Sequence, residues 1–226
     1  MSRELVIGDL TFALRWSARR KTVGITVDRA GELVVDAPRG TPWSGVEKTV
    51  RSKLPWVYEK LAKKNMLHRA ELPVRYVAGE GHSYLGRRYR LLLVGAVDVP
   101  LRLIAGRFEL ARSARPNARD VFRDWYSKQA REWLPAKAVP FAEQLAVTPR
   151  RIEVRDLGYR WGSCSRGVVY FHWRVMQLSP RLVEYVVAHE VAHLREAQHG
   201  PAFWRLLKRL MPDSTARRDQ LACVDV

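Results

Sequence analysis

The chain has 226 residues, of which 47% are hydrophobic and 28% charged, with a formal net charge of +17. These values are typical of a globular protein of one large or two small domains and exclude a fibrous or low-complexity chain. No apolar run is long enough to span a bilayer. The start, MSRELVIGDL, lacks the apolar core of a signal peptide, and two cysteines cannot form a disulfide framework. We therefore expect a cytoplasmic protein.

Basic residues are in clear excess, with 40 Lys and Arg against 23 Asp and Glu. Short basic clusters occur at 18–22, 63–69 and 86–90. Such a chain is attracted to polyanions, so nucleic acid, nucleotides and anionic lipid are candidate partners. A basic solvated surface explains the same charge equally well. Charge alone therefore does not identify the partner.

The first half of the chain reads as mostly β-structure. Residues 5–37 predict short strands because β-branched and aromatic residues dominate LTFALRWS, TVGITVD and ELVVDAP, with a turn at DRAGE. A helix is predicted over 42–65, with a break or kink at Pro55. Residues 74–94 and 101–111 predict further strands joined by glycine-containing turns.

The character of the sequence changes at RSARPNARD, which predicts a domain boundary near residue 115. Residues 1–115 would then form a β-rich region with one helix, and residues 116–226 a metal-binding catalytic region. The second region opens with a predicted helix over 118–146, interrupted by Pro135 and Pro140.

The next elements bring strand, loop and helix together. RRIEVRDL predicts a short strand, GYRWGSCSRG a loop, and VVYFHWRVMQL (168–178) a strong strand. SPRLVEYVVAHEVAHLREAQHG predicts a helix that begins at Ser179 and Pro180 and stops at Gly200–Pro201. AFWRLLKRLMPD predicts one more short helix. Together these elements predict the α+β class.

That helix carries the motif H-E-x-x-H. His189 and His193 are four residues apart, so both imidazoles lie on one helix face and can bind one Zn²⁺. In such helices the glutamate after the first histidine, here Glu190, does not bind the metal; it accepts the proton of the metal-bound water. The spacing therefore predicts a catalytic metal site.

A catalytic zinc needs a third protein ligand and an open position. His199 is the natural candidate, since the chain reverses directly after it. The spacing matches the metzincin pattern, but Glu196 stands where that pattern has glycine. Asp213 and Asp219 remain weaker rivals for the third position.

The stretch RWGSCS precedes this helix and predicts a substrate-binding segment. Gly162, Ser163 and Cys164 are small enough to let a substrate backbone approach, and Arg160 can stabilise an oxyanion or a phosphate. The strand at 168–178 borders the same cleft, and an extended substrate can pair with its open edge. The alternative interpretation is a simple turn. A nearby histidine, His172, is interpreted as a hydrogen-bonded structural residue.

The stretch from RWGSCS to HGPAFW, residues 160–204, resembles the YgjP-like metallopeptidase family, relatives of the SprT-like and WLM zinc proteases. Upstream stretches such as ARRKTVGITVD and LGRRYRLLLV also resemble it. The resemblance implies a zincin-like core, zinc bound by His189, His193 and His199, and Glu190 as the catalytic base.

The sequence therefore predicts a cytoplasmic zinc hydrolase that cleaves peptide bonds with a Glu190-activated water. Two alternatives stay open. The family resemblance also implies hydrolysis of nucleoside triphosphates, notably UTP, at the same site. The third candidate, from a different class, is a nucleic-acid-binding protein with a structural zinc.

Overall fold

The computed structural model describes residues 3–27, 32–67, 74–95, 98–158 and 160–224. The chain divides into two compact units, Met1–Glu71 and Leu72–Val224. The turn predicted at DRAGE lies mostly outside the described residues. No helix in the described ranges is long and apolar enough to cross a membrane.

The first unit is a four-stranded sheet covered by one helix. Its strands are β1 (Arg3–Ile7), β2 (Leu10–Ser17), β3 (Gly24–Val27) and β4 (Leu33–Pro38), in the order β1-β2-β4-β3, and its helix is α1 (Trp43–Leu67). Alternation in β2 buries Leu10, Phe12 and Leu14. These side chains share a core with Val46 and Val50 of α1. The sheet and the helix of this unit therefore share one hydrophobic core.

Prolines do not interrupt the long helices as the sequence predicted. Helix α1 runs through Pro55, and α2 (Ala118–Gln144) runs through Pro135 and Pro140. All three prolines are exposed, so each lost backbone hydrogen bond falls on the solvent side of its helix. The buried faces, which hold the helices in place, keep their contacts.

The second unit begins with another four-stranded sheet. Its strands are β5 (Gly81–Tyr84), β6 (Arg87–Val94), β7 (Leu101–Ile104) and β8 (Arg107–Ala111), in the order β5-β6-β8-β7. Phe108 and Leu110 of β8 are fully buried in the same core as Phe122 and Tyr126 of α2. The Tyr126 hydroxyl also donates a hydrogen bond to the Ser83 carbonyl, at 2.6 Å.

This shared core explains why the division between units falls after residue 71 and not at the predicted boundary near residue 115. The segment at 115 is a short 3-10 helix, Arg112–Asn117, between β8 and α2. Its Arg- and Pro-containing sequence marks a change of element. The hydrophobic contacts continue across it, so the strands before it and the helix after it form one unit.

A three-stranded sheet in the second unit lies beside the H-E-x-x-H helix. It consists of β9 (Arg151–Arg155), β10 (Gly162–Ser165) and β11 (Val168–His172), in the order β10-β11-β9. The stretch predicted as a loop is thus an edge strand, β10, because pairing with β11 outweighs its weak strand propensity. The strand predicted over 168–178 ends at His172 and continues as a 3-10 helix, Trp173–Gln177.

The pairing corrects the position of the open edge. β11 is paired on both sides, antiparallel with β10 and parallel with β9. It therefore has no free edge to offer a substrate. β10 is an end strand of this sheet, so it has a free edge, and it also contacts α3, the H-E-x-x-H helix (Pro180–Ala192).

The chain ends in three helices. After α3 come α4 (Pro201–Leu210) and α5 (Ser214–Ala222), the last of which was not predicted. Ser179 and Pro180 begin α3 as expected, although the Ser179 side chain makes no capping hydrogen bond. Gly200 and Pro201 begin α4 and do not end α3, which stops at Ala192. The mixture of helices and antiparallel and parallel strands confirms the α+β class.

Candidate metal centre

Three histidines converge at the end of α3. His189 lies in its last turn, His193 is its C-cap residue, and His199 lies in the segment that leads to α4. The Nε2 atom of His199 is 2.8 Å from Nε2 of His189 and 3.0 Å from Nε2 of His193. One nitrogen of each ring can therefore face a single metal ion.

The hydrogen bond of one ring fixes its tautomer. His193 Nδ1 lies 2.9 Å from the backbone carbonyl of Glu196. A carbonyl only accepts, so Nδ1 carries the proton and Nε2 presents a lone pair to the centre. A carbonyl partner on the outer nitrogen is the usual arrangement of a metal-binding histidine. The buried Nδ1 of His189 has no hydrogen-bond partner in the described ranges.

Two aromatic residues of α4 hold the three rings in place. Phe203 is fully buried, and its ring centroid lies 4.5 to 4.9 Å from those of all three histidines. Trp204 stacks on His199 with an interplanar angle of 24° and donates its indole N–H to the His199 carbonyl at 3.1 Å. Sequence reasoning did not assign these residues a role. Both residues lie in the first turn of α4, soon after His199, and this position could have indicated that they pack on the histidine.

The environment favours the neutral form of His189 and of His199. Burial, followed by repulsion from His193 and His199, lowers the pKa of His189 to about 3. Burial and the neighbouring His193 also lower the pKa of His199. A metal binds the neutral form of histidine, so the site favours the protonation state that coordination requires.

Glu190 is buried next to the histidines, with 6% of its surface exposed. Burial raises the pKa of its carboxyl group to about 8, and the positive charge of Arg160 acts in the opposite direction. A carboxylate with a pKa near neutrality is a stronger base than one exposed to water. The group is thus suited to moving a proton at neutral pH.

Gly162 makes room for this carboxylate. A Cβ atom at Gly162 would lie 2.5 Å from Cγ and 2.7 Å from Oε1 of Glu190, closer than any tolerated contact. The sequence predicted that Gly162 admits a substrate backbone. In the structure, the lack of a side chain at Gly162 leaves the space that the Glu190 side chain occupies.

A cleft of about 530 Å³ joins these groups. It brings together all of the sequence-predicted site residues: Arg160, Gly162, Ser163, Cys164, His189, Glu190, His193 and His199. Its lining also includes Tyr185 and Val186 of α3 and Arg218, Leu221 and Ala222 of α5. Sequence reasoning missed the three residues of α5 because α5 itself was not predicted.

Cys164 is a free cysteine whose environment disfavours the thiolate. Burial, with a smaller contribution from the negative charge of Glu190, raises the pKa of its thiol to about 11. The thiol is therefore protonated at neutral pH and is a poor nucleophile.

The rival ligands lie elsewhere. Asp213 accepts hydrogen bonds from Arg181 and Arg217, at 3.0 and 2.9 Å, and Asp219 from Arg218. Neither belongs to the group of potential metal ligands found among the described residues.

His172 is a structural residue, as predicted. It is 3% exposed, its Nδ1 accepts from the backbone N–H of Arg174, and its Nε2 lies 3.3 Å from Asp156.

The family model of the YgjP-like metallopeptidase domain matches residues 21–223 of the chain. The chain is also similar to a solved structure, the metallopeptidase zymogen of Pyrococcus abyssi abylysin, with 20% identity and a TM-score of 0.36. That alignment covers 39% of this chain and 90% of the other. No curated protein matches the chain.

The family match spans nearly the whole sequence and places the protein in the class of metal-dependent peptidases. Within this class, the chain belongs to the YgjP-like metallopeptidase family.

Proposed function

We propose that the protein is a zinc metallopeptidase in which His189, His193 and His199 bind the metal and Glu190 is the catalytic base. The observation that carries this proposal is that His199 Nε2 lies 2.8 Å from His189 Nε2 and 3.0 Å from His193 Nε2, beside one buried carboxylate.

The donor set fits zinc. Imidazole nitrogens bind zinc well, and three protein ligands leave the fourth position open for water or substrate. Tetrahedral bonds of 2.0–2.1 Å place neighbouring nitrogens about 3.3 Å apart, close to the spacing found here. Neutral rings that point lone pairs at one another repel, and a cation between them removes this repulsion.

When bound, zinc supplies a Lewis acid that polarises a peptide carbonyl and lowers the pKa of water. Glu190 takes the proton from the attacking water and then gives it to the leaving amine. Gly162 keeps the space that this carboxylate needs. Arg160 lines the same cleft and provides positive charge near the oxygen that becomes negative in the transition state.

The free edge of β10 provides backbone groups for an extended substrate. The His172 N–H donates to the Trp161 carbonyl at 2.8 Å, so these residues form a hydrogen-bonded pair. Pairs alternate along an antiparallel ladder, so Gly162 and Cys164 direct their N–H and C=O groups away from β11. A peptide can add to this edge as a further strand, with Ser163 between the two pairing residues.

The two alternatives predict different features. A structural zinc is closed by four protein ligands, and the group found among the described residues contains three. A nucleoside triphosphate hydrolase is the second candidate, favoured by the two arginines that line the cleft, Arg160 and Arg218. A reaction that contains both a polypeptide and UTP distinguishes this candidate from the peptidase.

The test is mass spectrometry of one reaction that contains zinc-loaded protein, an unfolded polypeptide and UTP. The matched control is Glu190→Gln, which keeps the size of the side chain and removes the base. We expect peptide fragments with the wild-type protein, and a rate lower by about 100-fold or more with the variant at unchanged zinc content.

A second variant, His199→Ala, should bind zinc much more weakly because it leaves two of three ligands. Fragments formed equally by Glu190→Gln would contradict the role of Glu190. UMP formed while the polypeptide stays intact would establish the nucleotide hydrolase instead.

A further inference from the structure

Arg218 is a charged group in the cleft that the proposed chemistry does not use. Its guanidinium lies over the Trp204 ring, with Cζ 5.5 Å from the ring centroid. Trp204 in turn stacks on His199 with a centroid distance of 5.6 Å. A cation above an indole ring is held by the negative face of the ring. Trp204 therefore places a positive charge at a fixed position relative to the candidate metal centre.

The remaining interaction of Arg218 is weak. Its Nε and Nη2 each lie 3.2 Å from one oxygen of Asp219, the next residue in the chain. The Asp219 side chain is 67% exposed, and exposed ion pairs contribute little because water competes for both charges. A ligand carboxylate can therefore replace Asp219 at low cost.

The charge of the cleft favours an anionic ligand. Its lining contains two arginines, Arg160 and Arg218, and one acidic residue, Glu190, which is already assigned as the base. Arg160 lies just before β10, whereas Arg218 belongs to α5. The two positive charges thus lie beside different parts of the cleft.

The walls next to Arg218 are apolar. Tyr185, Val186, Leu221 and Ala222 line this part of the cleft, and Tyr185 and Val186 are buried. Apolar walls accept the methylene groups of a side chain, and a guanidinium binds a carboxylate through paired hydrogen bonds. This combination suits a short apolar stem that ends in a carboxylate.

We propose that Arg218 binds a carboxylate of the polypeptide substrate and selects cleavage sites close to it. This inference rests on the proposed peptidase function. The guanidinium lies at most about 11 Å from the His199 ring, and an extended chain advances about 3.3 Å per residue. The carboxylate therefore belongs to a residue within about three positions of the cleaved bond. It is either a Glu or Asp side chain or the C-terminal α-carboxylate.

Three peptides of otherwise identical sequence distinguish the sources. The first has an internal Glu and an amidated C-terminus, and the second has Gln at that position and an amidated C-terminus. The third has Gln and a free C-terminal carboxylate within three residues of the cleaved bond. Cleavage is followed by mass spectrometry, and kcat/KM is compared for each peptide.

The variant is Arg218→Gln, and the matched control is Arg209→Gln, an exposed arginine of α4 outside the cleft. Loss of a charge-assisted contact should lower kcat/KM for the preferred carboxylate peptide about tenfold or more. The neutral peptide should change by less than about twofold, and the control should leave all three peptides unaffected. Zinc content and melting temperature show that the variant is folded and loaded.

Equal effects of Arg218→Gln on all three peptides, or no effect on any, would overturn the inference and leave the peptidase function standing. Binding of the same peptides to Glu190→Gln, measured by fluorescence anisotropy, distinguishes a failure of the Arg218 inference from a failure of the proposed peptidase function. Carboxylate-selective binding that needs Arg218, without cleavage by the wild-type protein, would support the subsite and overturn the proposed function. Binding of UTP at micromolar concentration, with no binding of the peptides, would overturn the assignment to a polypeptide.

Discussion

At the residue scale, the close approach of Glu190 to Gly162 requires a residue without a side chain at position 162. Gly162→Ala places a Cβ atom 2.5 Å from Glu190 Cγ, so the carboxylate has to move. We expect peptidase activity to fall about tenfold or more, because displacement of a catalytic group by as little as 1 Å is costly. Zinc content should be unchanged, since none of the three proposed histidine ligands is changed.

The control for this substitution is Gly95→Ala, because nothing lies within 4 Å of a Cβ atom at Gly95. Both proteins are assayed for zinc and for peptide cleavage. Full activity in Gly162→Ala would show that Glu190 does not need its present position.

His82 gives the second residue-scale prediction, which concerns stability and pH. It is buried and stacked on Phe122, with centroids 4.3 Å apart, and its Nε2 lies 3.6 Å from Glu80 without a hydrogen bond. Burial lowers the pKa of His82, Glu80 opposes the shift, and Arg88 adds to it. The unfolded chain therefore binds a proton at a higher pH than the folded protein does.

It follows that His82 lowers the free energy of unfolding as pH falls below about 6.5, by at most about 1.4 kcal/mol per pH unit. Urea unfolding of the wild-type protein and of His82→Phe, at several pH values, isolates this contribution because all other histidines are common to both. The wild-type protein should lose stability relative to the variant on acidification. A gain in stability of the wild-type protein relative to the variant on acidification would mean that the negative charge of Glu80 outweighs the effect of burial on the pKa of His82.

The proximity of His189 and His193 could be predicted from sequence because helical periodicity fixes their relation. His199 lies beyond the helix, where spacing alone left Asp213 and Asp219 as rivals. Arg218 could not be predicted, because its position depends on how α5 packs, which no local pattern specifies.

At the element scale, β10 shows how pairing outweighs local propensity. Gly162, Ser163 and Cys164 are weak strand formers, and in sequence they are typical of a loop. They form a strand because β11 pairs with them. In contrast, β2 and β11 contain enough β-branched and aromatic residues to be predicted from their own sequences.

The free edge of β10 can be tested by removing one backbone donor. Cys164→Pro deletes the N–H that points away from β11, so the pairing of β10 with β11 should persist. We expect kcat/KM for peptides to fall several-fold, because one hydrogen bond to an extended substrate is lost.

Cys164→Ala is the matched variant, since it removes the same thiol and keeps the N–H. It should retain near wild-type activity. Equal activity of the proline and alanine variants, with both proteins folded, would place the substrate on another surface.

At the scale of the whole molecule, the α+β class followed from alternating strand and helix patterns, but the division into units did not. A composition change at residue 115 suggested a boundary, whereas the core extends from β8 to α2 across it. Hydrophobic contacts between distant residues decide where a unit ends.

All residues of the cleft lie in the second unit, Leu72–Val224, which has its own hydrophobic core. We therefore expect a fragment of residues 72–226 to fold cooperatively and to bind zinc through the same histidines. Thermal unfolding with and without zinc checks this expectation, with His199→Ala in the same fragment as control. A fragment that neither unfolds cooperatively nor binds zinc would show that the second unit depends on the first.

The most direct test of the metal centre and its cleft is a crystal structure of zinc-loaded Glu190→Gln with a bound peptide, measured at the zinc absorption edge. We predict one anomalous peak at 2.0–2.1 Å from Nε2 of His189, His193 and His199. The peptide should pair with the backbone of Gly162 and Cys164. A peak coordinated by Asp213 or Asp219, or a peptide bound away from β10, would contradict this account.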